Sequence, residues 1–215
     1  MNAYSVDFDG ANDYATATLG SAVFDGDFSL SFWARPDTSS DSYHTLMQLG
    51  SYSGGWRLYR YPGQTSGNMF AWWKGQGGYA NIFGNFGTAA ADAWFNLAIV
   101  RNGSTSKAYI NGSEVASATD SHSYTSTALD ITFTAYPFPG LMDEIALWDS
   151  ALSASNVTAV YNSGTPTDIS SLSPVNWWRM GDNDGGSGAT ITDQGSASNN
   201  VALKNGPTFS TTVPS

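Results

Sequence analysis

Phe138-Pro139-Gly140-Leu141-Met142-Asp143-Glu144-Ile145-Ala146-Leu147-Trp148 is the stretch whose reading decides the fold. It reads as a β-strand, and a strand turns alternate residues to one face. In a regular strand Leu141, Ile145 and Leu147 point the same way, and Asp143 points with them. A carboxylate on an apolar face is costly unless something pairs with it. The chain has 18 acids against 8 bases, so cations are scarce. A bound metal ion beside Asp143 is the expected answer.

The other segments repeat the strand pattern. In Phe28 to Pro36, residues Phe28, Leu30, Phe32 and Ala34 share one face, and Ser29, Ser31, Trp33 and Arg35 share the other. That is the period of a half-buried strand ended by proline. Trp94 to Arg101 alternates likewise. Two Asn-Gly pairs follow, Asn102-Gly103 and Asn111-Gly112, and each predicts a hairpin. They predict a three-strand meander whose last strand runs through Glu114 to Ala118. A single segment reads as helix, near 153–163, with Ser153 as its cap, Val157, Val160 and Tyr161 on one side, and Gly164 as its stop. Residues 163–174 read as a connector and 181–200 as a long loop.

Composition narrows the function. The net charge of -10 opposes nucleic acid, whose phosphates need Lys and Arg clusters, and opposes anionic membranes. Aromatic residues make up 14% of the chain, which disordered chains lack. No apolar run approaches the roughly 20 residues of a membrane span, and no signal peptide is visible at the start. With no cysteine, disulfides and thiolate metal sites are excluded.

Tyr4 to Tyr14 with its Phe8-Asp9-Gly10 core resembles the opening of laminin-G-like domains. Phe28 to Pro36, Trp94 to Arg101, Tyr109-Ile110-Asn111-Gly112, and Phe138 to Trp148 followed by Ala151-Leu152-Ser153 resemble further segments of that family, in family order. The resemblance implies an all-β, two-sheet antiparallel jelly-roll sandwich of the concanavalin A-like lectin-glucanase kind. Trp177 to Phe209 resembles the segment that usually precedes the opening. The expectation is one domain over 1–215, with 175–210 completing the sandwich in a circularly permuted order.

The resemblance also implies a structural calcium ion at the rim, held by Asp9, Asn12, Asp13 and Asp143. Calcium takes six to eight oxygens. The competing reading is that Asp9 and Asn12 hold a turn and Asp143 caps an amide. The acidic run Asp182-Asn183-Asp184-Gly185 reads as an exposed loop. For a ligand surface the candidates are Trp56, Tyr59, Trp72, Trp73 and Tyr79, because aromatic faces stack on sugar rings and glycines are interleaved with them. Trp56, Arg57, Tyr59 and Arg60 suit a protein interface equally well.

Glycoside hydrolysis by the retaining route needs two carboxylates about 5 Å apart. Glu144 and Asp149 differ in parity, and no phosphate loop, nucleophile elbow or histidine metal motif is present, so no enzyme is expected. The overall style resembles domains of tailed-phage structural proteins. The expectation is a structural or adhesion protein on a virion surface or otherwise outside the cell, as capsid decoration or fibre. Its partners would be virion proteins or a cell-surface glycan, and homo-oligomers are compatible with that role. The alternative is a secreted carbohydrate-binding lectin module.

Overall fold

A computed structural model describes residues 1–37, 42–50, 54–61, 69–75 and 79–215, with backbone alone at 61, 69–75, 79 and 80. Two antiparallel sheets of eight strands face each other. The first runs β10 (Ser113–Thr119), β9 (Thr105–Ile110), β8 (Phe95–Asn102), β3 (Phe28–Pro36), β12 (Pro139–Trp148), β1 (Ser5–Asp9) and β16 (Thr208–Ser210), with β13 (Asn176–Trp178) also on β12. The second runs β14 (Thr190–Ile191), β15 (Val201–Lys204), β2 (Tyr14–Thr18), β11 (Ala128–Ile131), β4 (His44–Leu49), β5 (Gly55–Tyr61), β6 (Met69–Gly75) and β7 (Tyr79–Phe83). Among the described residues, no helix is long and apolar enough to cross a membrane.

The period-2 pattern builds the core. Phe28, Leu30, Phe32 and Ala34 of β3 pack with Phe95, Leu97 and Ile99 of β8 against Ala15, Ala17, Met47, Leu49, Trp56, Leu58, Leu129 and Ile131 of the second sheet. Each fully buried Leu, Ile or Phe contributes roughly 1.5–3 kcal/mol. Both Asn-Gly turns close hairpins, β8–β9 and β9–β10. At the second, Asn111 (φ 50°) and Gly112 (φ 75°) are both left-handed, as a tight hairpin of right-twisted strands requires.

β3 is not half-buried, as its period suggested. Its outer face is covered by α1 (Ala154–Tyr161) and the segment before it. The ring of Trp33 stacks on Tyr161 at 5.7 Å. Ser29 Oγ donates to the Ser150 carbonyl and accepts from Leu152 N, both at 2.8 Å. Small hydroxyl residues can be buried there because each finds a partner. Ser153 caps α1, its Oγ accepting from Asn156 N at 3.1 Å. The helix ends at left-handed Asn162, two residues before the expected Gly164.

β12 departs most from its sequence reading. Val6, Asp7, Phe8 and Asp9 of β1 face Met142, Leu141, Gly140 and Pro139, whereas Trp178, Trp177 and Asn176 of β13 face Ile145, Ala146 and Leu147. One edge of β12 thus serves two partners in succession. On its other edge, β3 shows a register shift between Asp143 and Ala146. The extra residue is a β-bulge with Glu144 at φ 47°. It inverts the alternation. Met142 before the bulge and Ile145 and Leu147 after it face the inter-sheet core. Leu141 and Asp143 face the other way, so the expected common face of Leu141, Asp143, Ile145 and Leu147 is corrected.

Gly140 lies at φ 137°, and a Cβ there would stand 2.3 Å from the Arg35 carbonyl oxygen. Gly140→Ala is expected to lower the unfolding free energy by roughly 2–3 kcal/mol. Gly103→Ala, at a left-handed turn with open space around it, should cost only about 1 kcal/mol. Equal losses in urea titrations of the two variants would contradict this account of β12.

Candidate functional site

Two places concentrate chemistry. The first is the bulge. Asp143 is fully buried, its Oδ1 accepting from Glu144 N at 2.8 Å and its Oδ2 from Asn2 Nδ2 at 2.9 Å. Glu144 turns to the C-terminal segment, where Oε2 accepts from Trp177 Nε1 at 2.6 Å and Oε1 from Arg179 Nε at 3.0 Å. Arg179 Nη2 also donates to Asp182 Oδ2 at 2.6 Å, and its guanidinium lies 5.2 Å from the Trp177 ring centre. Asp182 Oδ1 accepts from Ala3 N and Tyr4 N at 2.8 and 2.9 Å.

Two of the three carboxylates share one guanidinium: Arg179 engages Glu144 and Asp182 but not Asp143. Burial first, then the neighbouring Glu144 charge, pushes the Asp143 carboxyl well above the usual carboxylate range. Burial also raises Glu144, opposed by Arg179. Asn2 Oδ1 is buried without a partner. Turning that amide over would let Oδ1 accept from a protonated Asp143. The cluster ties the N-terminal segment, β12 and the tail together, and presents no carboxylate to a substrate.

Asp143 does not share a site with Asp9, Asn12 and Asp13. Asp9 faces Pro139 and Val6 faces Met142, so Asp143 lies four residues further along the sheet, roughly 13 Å away. Asp9 Oδ1 accepts from Ala11 N at 2.8 Å and Asn12 N at 3.3 Å, and Asp13 Oδ2 accepts from Asp9 N at 3.2 Å. That is a side-chain-held turn. As a single calcium centre the four residues do not fit. Among the described residues, no group of three or more acidic, histidine or cysteine side chains is placed to hold a metal. Asp184, in the second acidic run, accepts from Thr192 N and Oγ1.

The second place is a cleft of about 650 Å³ at one end of the sandwich. Its walls are the turn after β1 (Asp9, Gly10), the start of β4 (Ser42, Tyr43, His44) and the loop before β12 (Ala135, Tyr136, Pro137, Pro139). Tyr43 and Tyr136 are 46% and 45% exposed, uncommon for large rings. Their centres lie 6.3 Å apart, and Tyr59 joins both at 6.1 and 6.2 Å. Arg57 donates to Tyr59 Oη at 2.6 Å and lies 4.7 Å from the Phe133 ring centre. The walls are pinned: Thr45 N donates to the Tyr136 carbonyl at 2.7 Å, and Phe138 N to Thr132 Oγ1 at 2.9 Å. A Cβ on Gly10 would meet Pro139 Cβ at 2.7 Å, so glycine lets these two walls close.

Of the aromatic candidates, Tyr59 belongs to this cluster, although only 5% exposed. Trp56 does not: it is 2% exposed and packs edge-on to Phe24 in the inter-sheet core, a correction to its expected ligand role. Trp72 and Trp73 pair in register with Leu58 and Arg57, and Tyr79 with Gly75, but these three side chains lie outside the described residues. Arg60 is fully buried, which removes it from an exposed interface. Tyr43 and Tyr136 stand outside the sequence candidates, which centre on tryptophans and their neighbours. The available signal was Tyr136 between Ala135 and Pro137-Phe138-Pro139, where prolines stiffen the backbone that displays the ring.

Comparison with known proteins agrees with this architecture. Residues 9–158 match the model of a laminin G family described as the concanavalin A-like lectin/glucanases superfamily. A candidate carbohydrate-binding protein from Bacteroides ovatus superposes with TM-score 0.74 at 18% identity, covering 99% of this chain and 61% of that one. A heptameric SAP-like pentraxin from Limulus polyphemus gives 0.60 at 12% identity, with 74% and 82% covered. Domain 4 of the extracellular arabinanase AbnA from Geobacillus stearothermophilus, in complex with arabinotriose, gives 0.53 at 23% identity, with 67% and 69% covered. No curated protein matches the sequence.

The bulge sets a pH dependence. Above about pH 4 an unfolded Asp143 has lost its proton while the folded one keeps it. The native state then binds more protons than the unfolded state, so stability falls as pH rises through that window. Asp143→Asn is neutral at every pH. Its melting midpoint is expected to exceed wild type at pH 8 and to approach it at pH 4. A variant less stable at pH 8 than at pH 4, relative to wild type, would mean that Asp143 is ionised in the fold. Melts in EDTA and in excess calcium are expected to coincide; a rise with calcium would show that the Asp9 turn rearranges to hold the ion.

Proposed function

The chain belongs to the concanavalin A-like lectin/glucanases superfamily, and from that premise we propose a non-catalytic carbohydrate-binding module whose sugar seat is the Tyr43–Tyr136 cleft. The pair of half-exposed tyrosine rings over a preformed cleft carries the reading. The volume suits a small ligand, and apolar ring faces suit the C–H faces of sugars. Pinned walls reduce the ordering cost of binding. Solved relatives include a candidate carbohydrate-binding protein and a domain in complex with arabinotriose, which supports the same class.

Among the described residues, the cleft holds no carboxylate pair for hydrolysis. Asp143 is buried against Asn2 and Glu144 against Trp177 and Arg179, and the described cleft lining includes one carboxylate, Asp9. Both retaining and inverting routes need two.

A second reading places this module on a virion surface as decoration or fibre. The absence of cysteine favours it, because such a domain can mature without oxidative folding. Capsid or tail genes beside its own would support that setting. A neighbourhood of secretion and polysaccharide-uptake genes would overturn it.

On a glycan array, Tyr136→Ala and Tyr43→Ala are each expected to weaken binding about tenfold or more, the worth of a buried aromatic face. Val115→Ala, an exposed residue on strand β10, should bind as wild type. Undiminished binding by both tyrosine variants would remove the cleft from the function.

A further inference from the structure

Among the described residues of its lining, the cleft's charge is one-sided. Asp9 is its carboxylate, and N–H donation from Ala11, then Asn12, keeps that carboxyl below the usual range, so it is ionised at ordinary pH. Oδ1 takes both of those bonds. His44, the titratable base of the lining, is held near pKa 4 by burial and by the Arg60 guanidinium, so it is neutral there. Arg60 is fully buried and cannot touch a ligand. Arg57, which is partly exposed, is bonded to the Tyr59 hydroxyl and set against the Phe133 ring.

Around the same turn the acids accumulate. Burial raises the Asp7 carboxyl, and the carboxylates of Asp37, Asp13 and Asp9 raise it further. These four acids therefore share a field. Arg35 is the cation among them, and it engages Asp37 at 3.8 Å and Asp92 at 3.1 Å. A cleft floored by neutral rings and rimmed by excess carboxylate offers acceptors to sugar hydroxyls. Among the described residues its lining holds no Lys or Arg, so an anionic sugar would meet like charge there.

We infer that the cleft takes neutral glycans and rejects sialylated or sulfated ones, with Asp9 as the specificity-determining residue. The ring face of a neutral sugar lies on Tyr43 and Tyr136 while Asp9 Oδ2 accepts from its hydroxyls. This inference rests on the carbohydrate-binding reading above.

The test pairs glycans that share a backbone: lactose against 3′-sialyllactose by calorimetry, and agarose against κ-carrageenan by affinity electrophoresis, within an array of other neutral and acidic oligosaccharides. The neutral member of each bound pair is expected to bind at least tenfold more tightly. Raising salt should narrow the ratio, because screening weakens the repulsion. Asp9→Asn keeps an oxygen for Ala11 N and Asn12 N, so the turn persists. It should weaken neutral binding severalfold and bring the acidic member within about threefold of the neutral one. Equal or tighter binding of the acidic members by wild type overturns the selectivity and leaves the carbohydrate reading standing. A selectivity unchanged in Asp9→Asn overturns the role of Asp9. An array on which nothing binds overturns the carbohydrate reading and the inference with it.

Discussion

The fold depends on one constraint: β12 must be buried on both faces and paired on both edges while changing partners halfway along. Val6 and Phe8 on β1 need Met142 and Gly140, and Trp178 and Asn176 on β13 need Ile145 and Leu147. The bulge at Glu144 reconciles the two registers by adding a residue on β12. It places a non-glycine residue in left-handed backbone, a cost of order 1–3 kcal/mol that surrounding contacts must offset. Trp177 and Arg179 supply those contacts by holding the Glu144 carboxylate. The residue that breaks the pattern is thus the one the tail grips.

Regular alternation made much of the fold legible in the sequence. Phe28 to Pro36 and the Asn-Gly hairpins needed no tertiary information, because strand period and left-handed turns are local properties. Ser153 announced the helix by the same logic. The bulge was illegible for a physical reason. Met142-Asp143-Glu144-Ile145 offers apolar residues at both parities, so the pattern fits with or without an extra residue. Burial of Ser29 and Ser31 was illegible because serine is polar by type yet small enough to satisfy itself within a covered face.

The candidate site was less legible than the fold. Asp9 and Asp143 both sit in family-like motifs, but strand register separates them, and register is a long-range property. Trp56 and Tyr59 lie three residues apart on β5. One fills the core and the other packs against the cleft tyrosines, and only the opposite sheet decides which. Exposure of Tyr43 and Tyr136 follows from loops that the backbone pins in place, through Thr45 and Thr132. A ring displayed on pinned backbone differs from the same ring in a loop that moves, since its ordering cost is met on folding.

The tail closes both sheets, since β16 lies on β1 and β15 lies on β2. These pairings join residues about two hundred positions apart. During synthesis the first two strands leave the ribosome long before their partners exist. Each must wait with an open edge, bare to other chains, until residues 201–210 arrive. High contact order slows folding and prolongs that exposure. The chain's net charge of -10 would keep nascent copies apart during the wait.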